Sequence, residues 1–354
     1  MPHLPMLDGL RALAILIVMA SHTHVTHLIP GGFGVTIFFF LSGYLITSLL
    51  RIEAAAHGRI DLRDFYWRRA VRIFPPLYIT MALLLLAIAA GLLPVVITAP
   101  SLLLDGLFLT NYASALGVEH GLPIPFWSLD VEEHFYLLFS TVFAAVFVRM
   151  PARRAALWCL LGCGVVLALR IVNVAVLSDF SNNYYWSHTR LDSILFGCCL
   201  ALWNNPALDR APWQPRAVHV VAALGVLLAC LQIRGDLFRE TIRYSLQGAA
   251  LFVVFSAALQ DRGRAARALS WLPLRIVALL SYTLYLIHMP MALIVEQGLG
   301  VEHPLALHTI TFALSFSYAG AMYLLVEQPL ARWRRGRDSE LRAIIAPALA
   351  AAPR

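Results

Sequence analysis

Four clusters of reactive residues interrupt a sequence that is otherwise strongly apolar. The first is Asp8, Arg11 and His22 in the run Leu7-Asp-Gly-Leu-Arg to Ser-His22. At about 100° per residue these three fall within about 60° of one another around a helix, with about 16 Å of rise between Arg11 and His22. An imidazole of ordinary pKa, about 6.5, can take a hydroxyl proton or carry an acyl group, which makes His22 the candidate reacting centre. The competing reading is a snorkelling arginine and a hydrogen-bonded core histidine. The second cluster is Arg68, Arg69 and Arg72 in Phe65-Tyr-Trp-Arg-Arg-Ala-Val-Arg-Ile-Phe-Pro-Pro. Arg69 and Arg72 are neighbours on a helical turn, and guanidinium forks fit phosphate oxygens; an anchor on lipid headgroups is the alternative. The third is Trp127-Ser128-Leu-Asp130-Val-Glu132-Glu133-His134. Ser128 and Glu132 share a helical face and could act together on a ligand or orient a histidine. The fourth is His288, two residues before Pro290, where the ring could donate to a carbonyl freed by the proline.

Such groups are expensive in the surroundings that the composition dictates. The 354 residues are 60% hydrophobic and 13% charged, against about 25% charged for a soluble domain, and the mean hydropathy is +0.74. The chain therefore reads as an integral membrane protein. Ionisable groups at bilayer depth cost on the order of 2.5–3.5 kcal/mol each and normally face a protein interior. The net charge is +7, with arginine the sole basic residue besides histidine, and it sits in short loops, as membrane orientation requires and nucleic-acid binding does not. The five cysteines lie inside apolar stretches and give no disulfide framework and no zinc spacing. The N-terminal segment has no basic leader and no cleavage site and reads as a membrane helix, not a signal peptide.

The apolar stretches place helices over about 7–28, 33–50, 72–93, 127–150, 155–178, 187–203, 216–233, 242–260, 276–297 and 305–327, each near the ~20 residues a crossing needs. Arg51 to Arg69 reads as a basic cytoplasmic loop, and Pro75-Pro76 as the start or kink of the third helix. The weak stretch 101–116 carries Asp105, Gly106 and Asn111 and reads as re-entrant or interfacial. Loops near 149–154, 210–216, 262–275 and 332–337 are arginine-rich, those near 179–186 and 298–304 have no arginine and 234–241 is mixed, which puts both termini in the cytoplasm. The expectation is an all-α membrane protein of about ten transmembrane helices plus that one extra helix. One domain covers 1–331, and 332–354 form a short basic cytoplasmic tail.

Five ordered motifs between Leu7 and Pro290 resemble those of the membrane-bound acyltransferase-3 family. They are Asp-Gly-Leu-Arg-Ala with His22 eleven residues after Arg11, Gly-Val-x-Ile-Phe-Phe-x-Leu-Ser-Gly-Tyr-Leu-Ile, Phe-Tyr-x-Arg-Arg-x-x-Arg-Ile-x-Pro, Trp-Ser-Leu-x-Val-Glu-Glu-x-Phe-Tyr, and Ser-Tyr-x-Leu-Tyr-Leu-x-His-x-Pro. The resemblance implies a multi-pass O-acyltransferase of the bacterial cytoplasmic (inner) membrane that modifies surface polysaccharides, nodulation oligosaccharides or macrolides. It implies acyl-CoA, typically acetyl-CoA, as co-substrate, with no tightly bound cofactor. By the same resemblance His22 matches the essential histidine, Arg11 the first-helix arginine, Arg69 and Arg72 the donor-binding pair, and Ser128 and Glu132 the serine–glutamate motif. His134 stands where many members have Gln, and Ile287 where Trp is common. A C-terminal hydrolase-like extracellular domain, which some members carry, is not expected here.

The expected mechanism brings acyl-CoA from the cytoplasm, its phosphates on Arg68, Arg69 and Arg72. A sugar or glycosylated small-molecule hydroxyl enters from the other side near Trp127, Ser128 and His288. His22 acts as general base or is acylated first, Glu132 or Asp8 orients it, and Arg11 offsets charge at the phosphate end or stabilises an anionic intermediate. The rival is a transporter or flippase of a glycan or lipid-linked substrate, which predicts inverted repeats that the sequence does not contain. A lipid-binding scaffold would leave His22 and Glu132 without a purpose.

Overall fold

The computed structural model describes residues 5–22, 30–119, 121–177 and 182–334. Every regular element among them is helical. In chain order these are α1 (Pro5–Ser21), α2 (Gly31–His57), α3 (Leu62–Ala89), α4 (Ala99–Leu107), α5 (Phe126–Ala145), α6 (Ala152–Leu177), α7 (Ser187–Trp203), α8 (Ala217–Gln232), α9 (Asp236–Glu240), α10 (Arg243–Ala258), α11 (Arg264–Leu269), α12 (Leu272–Leu293) and α13 (Pro304–Met322). Single π-helical turns follow α12 and α13. The chain divides into two compact units, Met1–Ile60 with Val95–Ser281, and Asp61–Pro94 with Tyr282–Arg354.

Among the described residues, six helices are long and apolar enough to cross a membrane: Gly31–His57, Leu62–Ala89, Phe126–Arg149, Ala152–Val176, Leu272–Gly298 and Pro304–Arg334. The other four expected spans are helices of 16 or 17 residues, about 24–26 Å long, short of a hydrocarbon core of about 30 Å. The stretch 101–116 is the nine-residue α4 and two single 3₁₀ turns, too short to cross. Its irregular backbone is satisfied by protein. The buried Asp105 accepts from the Leu122 amide (2.8 Å) and the Thr110 hydroxyl (2.9 Å), and the buried Asp130 accepts from the Asn111 amide (2.8 Å).

Three sequence boundaries require correction. The first helix, expected to reach residue 28, ends at Ser21, where the His22 amide turns back to Met19 O at 3.2 Å; residues 23–28 lie outside the described residues. The basic loop expected from Arg51 to Arg69 shrinks to residues 58–61. Gly58 takes φ 67°, a left-handed conformation that glycine adopts without strain, and ends α2. Asp61 then caps α3 by accepting from the Asp64 amide at 3.0 Å. The third helix therefore begins ten residues before Arg72, and Pro75 and Pro76 sit inside it. Residues 332–334 continue the last helix, and the rest of the expected tail lies outside the described residues.

In the first unit α1 runs antiparallel to α2, with Gly31 against Ser21 and Gly34 against Ala14 and Val18. Helix α7 runs parallel to α2, and the two backbones approach closely. A Cβ on Gly43 would stand 2.0 Å from the Ile194 carbonyl oxygen, and one on Gly197 2.1 Å from that of Phe40. Tyr44 OH donates to Asn205 (2.9 Å), and Arg51 pairs with Asp209 (2.8 Å) further along the same seam. Gly197→Ala is expected to lose about 1–3 kcal/mol, because backbone leaves nowhere for the methyl to go. Gly225→Ala, at an exposed helical position with open space around it, should be neutral or slightly stabilising. Thermal unfolding of the two variants in detergent, side by side, checks this. Helix α1 also rests on α11, with Gly9 against the Leu269 carbonyl. The loop before α11 is fixed by Asp261, whose carboxyl the Ala266 and Gly263 amides hold below the usual range.

In the second unit hydrogen bonds join α3 to α12 and α13, and α12 to the π turn after α13. Tyr282 OH donates to the Ile73 carbonyl (2.8 Å), Thr80 hydrogen-bonds Tyr318 (2.7 Å), and Thr283 donates to Glu327 (2.6 Å). Contacts of this kind let a proline pair persist inside an apolar helix.

Candidate active site

His22 occupies the terminal turn of α1, with its ring exposed there. Nδ1 lies 2.9 Å from the Val18 carbonyl, and Ser21 Oγ donates to the same carbonyl at 2.7 Å. A carbonyl only accepts, so Nδ1 carries the hydrogen and Nε2 carries the lone pair of the neutral ring. That tautomer is the one a general base or acyl carrier needs.

Neither expected carboxylate orients this ring. Asp8 lies in the first turn of the same helix, about 21 Å of rise away, and instead suits the positive end of the α1 dipole. Glu132 accepts from Ser42 Oγ of α2 at 2.7 Å and from Tyr136 OH at 3.0 Å. Ser42 lies eleven residues along α2 from Gly31, the neighbour of Ser21, hence about 16 Å from the level of His22. Carried along the antiparallel register, the Ser42 level falls near Asp8 and Arg11. The Val18 carbonyl orients Nδ1. Ser128 is buried and donates to the Pro125 carbonyl at 3.3 Å.

Trp127 stands at the His22 end of this unit. Its ring packs on Tyr184 (4.7 Å between centroids), Tyr185 (5.5 Å) and Phe39 (6.1 Å), and Tyr184 in turn meets Gly32, next to the Gly31–Ser21 contact. An aromatic face here suits a sugar ring. Close by, His134 Nδ1 meets Ser187 Oγ at 2.6 Å, and Asn111 donates to the same hydroxyl at 2.8 Å.

Two buried arginines escaped the sequence reading. Arg170 and Asp192, both fully buried, form a bidentate pair at 2.9 and 2.6 Å. The remaining donors of Arg170 go to the carbonyls of Thr241 (2.7 Å) and Thr189 (2.6 Å) and to Ser245 Oγ (2.6 Å), so all five N–H groups are used. Ser245 donates onward to Asp192 at 2.7 Å, which ties α6, α7 and α10 together. Arg190, also fully buried, lies with its guanidinium carbon 3.7 Å from the Tyr244 ring centroid and within 6.0 Å of those of Phe39, Trp127 and Tyr184. The available signal was a lone arginine within each of two apolar stretches.

The other expected site residues belong to the second unit. Arg68, Arg69 and Arg72 lie on α3, with Arg72 exposed. Arg68 is held in an ion pair by Asp64 one turn earlier, and Arg72 acts electrostatically on Glu327. His288 is buried in α12, its Nδ1 3.1 and 2.9 Å from the carbonyls of Leu284 and Tyr285. Those are not the Leu286 carbonyl that Pro290 deprives of its donor, so the proline-repair role is corrected; the ring caps its own preceding turn.

Comparison with known proteins decides the family. The acyltransferase-3 profile, described as an acyltransferase domain, matches residues 4–326. The chain belongs to the acyltransferase-3 family. Similar relatives are the O-acetyltransferase OatA of Staphylococcus aureus, 30% identical over 351 residues, and the peptidoglycan O-acetyltransferase OatA of Listeria monocytogenes, 28% identical over 349 residues. The putative peptidoglycan O-acetyltransferase YrhL of Bacillus subtilis is 28% identical over 349 residues. Each alignment takes in 93% of this chain but 57%, 56% and 55% of the respective relative, so the acyltransferase-3 chain spans just over half of their length. No solved structure matches it.

Proposed function

We propose that this chain is a membrane O-acyltransferase that moves an acetyl group from acyl-CoA to a hydroxyl of a carbohydrate, with peptidoglycan glycan strands as the acceptor class. The observation that carries this reading is His22, whose Nδ1 faces the Val18 carbonyl in a chain of the acyltransferase-3 family, which supports a neutral imidazole with its lone pair on Nε2. The names of the relatives supply the acceptor class. Nε2 takes the proton of the attacking hydroxyl, or it is acylated first and passes the group on. Arg11 balances the charge that develops, and Glu132, held by Ser42 and Tyr136, fixes the α2–α5 contact. Trp127 offers its aromatic face to the sugar, and Ser128 serves acceptor binding through the helix turn it braces. About ten crossings with both termini in the cytoplasm present the arginines of α3 to cytoplasmic acyl-CoA.

Arg69 and Arg72 hold the donor phosphates. Replacing each by Ala is expected to raise the KM for acyl-CoA by about tenfold or more, the value of a lost charge-assisted hydrogen bond. Arg68→Ala, which breaks a surface pair with Asp64, should change it little. Initial-rate kinetics against acyl-CoA separate the three. The acceptor is tested by mass spectrometry of envelope glycans from a deletion strain. Loss of O-acetyl groups from the peptidoglycan, restored by the intact gene, supports the reading; an unchanged acetylation pattern removes peptidoglycan as the acceptor.

A further inference from the structure

The cluster around Arg190 does not balance its own charge. Arg170, Arg190 and Arg243 face Asp192 and Glu240, which leaves one positive charge in excess. Asp192 is consumed by Arg170. Glu240 acts most strongly on Arg243 and more weakly on Arg190, and among the described residues no carboxylate lies within ion-pair distance of Arg190. Its Nη2 reaches Thr36 Oγ1 at a long 3.3 Å, while Nε and Nη1 are buried and have no hydrogen-bond partner among the described residues. An unmatched buried cation costs several kcal/mol, and aromatic faces recover only part of it.

The geometry narrows what could complete the site. The Tyr244 ring centroid lies 3.7 Å from the guanidinium carbon, and the groups open to a partner are Nε and Nη1, whose hydrogens lie in the guanidinium plane. A carboxylate docks on such N–H groups, and so does a pair of phosphate oxygens; the donor phosphates are assigned above to Arg69 and Arg72, which leaves an anion of the acceptor for Arg190. A charge that is permanent in the resting protein calls for a permanent anion, and an oxyanion present only in a transition state would leave it unpaired. Trp127 and Tyr184, both part-exposed, lie between Arg190 and the His22 end of the unit.

We infer that Arg190 is a specificity-determining residue that binds the carboxylate of an acidic carbohydrate acceptor, next to the aromatic face of Trp127 and Tyr184. This rests on the acceptor class proposed above and narrows it to sugars that carry a carboxylate. The test is isothermal titration of the full chain, in detergent, with a soluble peptidoglycan glycan fragment whose carboxylate is free and with its methyl ester. The acid should bind the unaltered chain about 30-fold more tightly than the ester or better, as loss of a buried charge partner implies. Arg190→Met should abolish that preference and leave ester binding unchanged, and Arg190→Lys should retain part of it. Equal affinity for acid and ester in the unaltered chain overturns the inference, even if Arg190→Met does not fold. Acetyl transfer to the same two fragments is measured separately. Binding of the acid without transfer contradicts the proposed reaction and leaves the site standing, whereas transfer without preference does the reverse.

Discussion

His22→Ala is expected to transfer acyl groups about 10²–10⁴ times more slowly than the unaltered chain while folding normally, the range for losing a general base. Folding should survive because the ring is exposed at the end of α1 and its Nδ1 bonds to a carbonyl of its own helix. The rate should not survive, because the Val18 carbonyl fixes the hydrogen on Nδ1 and makes Nε2 the basic atom. Denatured protein recovered after exposure to radiolabelled acetyl-CoA distinguishes the two roles of the ring. Label that is retained by the unaltered chain and absent from His22→Ala identifies an acyl-histidine, and parallel initial-rate lines would accompany it. Unlabelled protein with intersecting lines identifies a general base. Asp8→Asn should have a far smaller effect than His22→Ala, since about 21 Å of helix separates Asp8 from the imidazole.

The largest stability effect is expected at Asp192. Asp192→Ala leaves Arg170 buried without its counter-charge and should destabilise the chain by about 3–5 kcal/mol, enough to abolish accumulation of folded protein. Arg170→Met combined with Asp192→Leu removes both charges and should recover most of that loss, because a matched apolar pair avoids the desolvation of two ions. Thermal unfolding in detergent of the single and double variants, read as a cycle, gives the coupling. Additive losses would mean that the pair is not the clamp joining α6, α7 and α10.

The helical, membrane-embedded class was legible from apolar runs near the length of a bilayer, and the polar motifs were legible because ionisable residues stand out in such runs. What could not be read was where helices stop. Apolar periodicity does not register that Gly58 and Asp61 compress a loop expected to span Arg51 to Arg69, because those residues act through one dihedral angle and one capping bond. The same periodicity carried the first helix past Ser21, which places His22 on a terminal turn and not inside a rod. Partners across the fold were also beyond reach. Glu132 was expected to act with Ser128 on a ligand or to orient a histidine, yet its hydrogen bonds run to Ser42, ninety residues earlier, and to Tyr136. Arg170 and Arg190 look alike in sequence, each a lone arginine in an apolar stretch. Only the fold separates the one that is fully paired from the one that is caged by aromatic rings.

The central claim is that this chain transfers an acetyl group to a carbohydrate hydroxyl through His22. It is tested most directly in liposomes holding only the purified full chain, supplied with radiolabelled acetyl-CoA and a soluble peptidoglycan glycan fragment. The account predicts alkali-labile label on the fragment, formed by the unaltered chain and reduced at least about 10²-fold in His22→Ala. Label that appears on the fragment equally with folded His22→Ala, or that never appears with the folded unaltered chain, would contradict it.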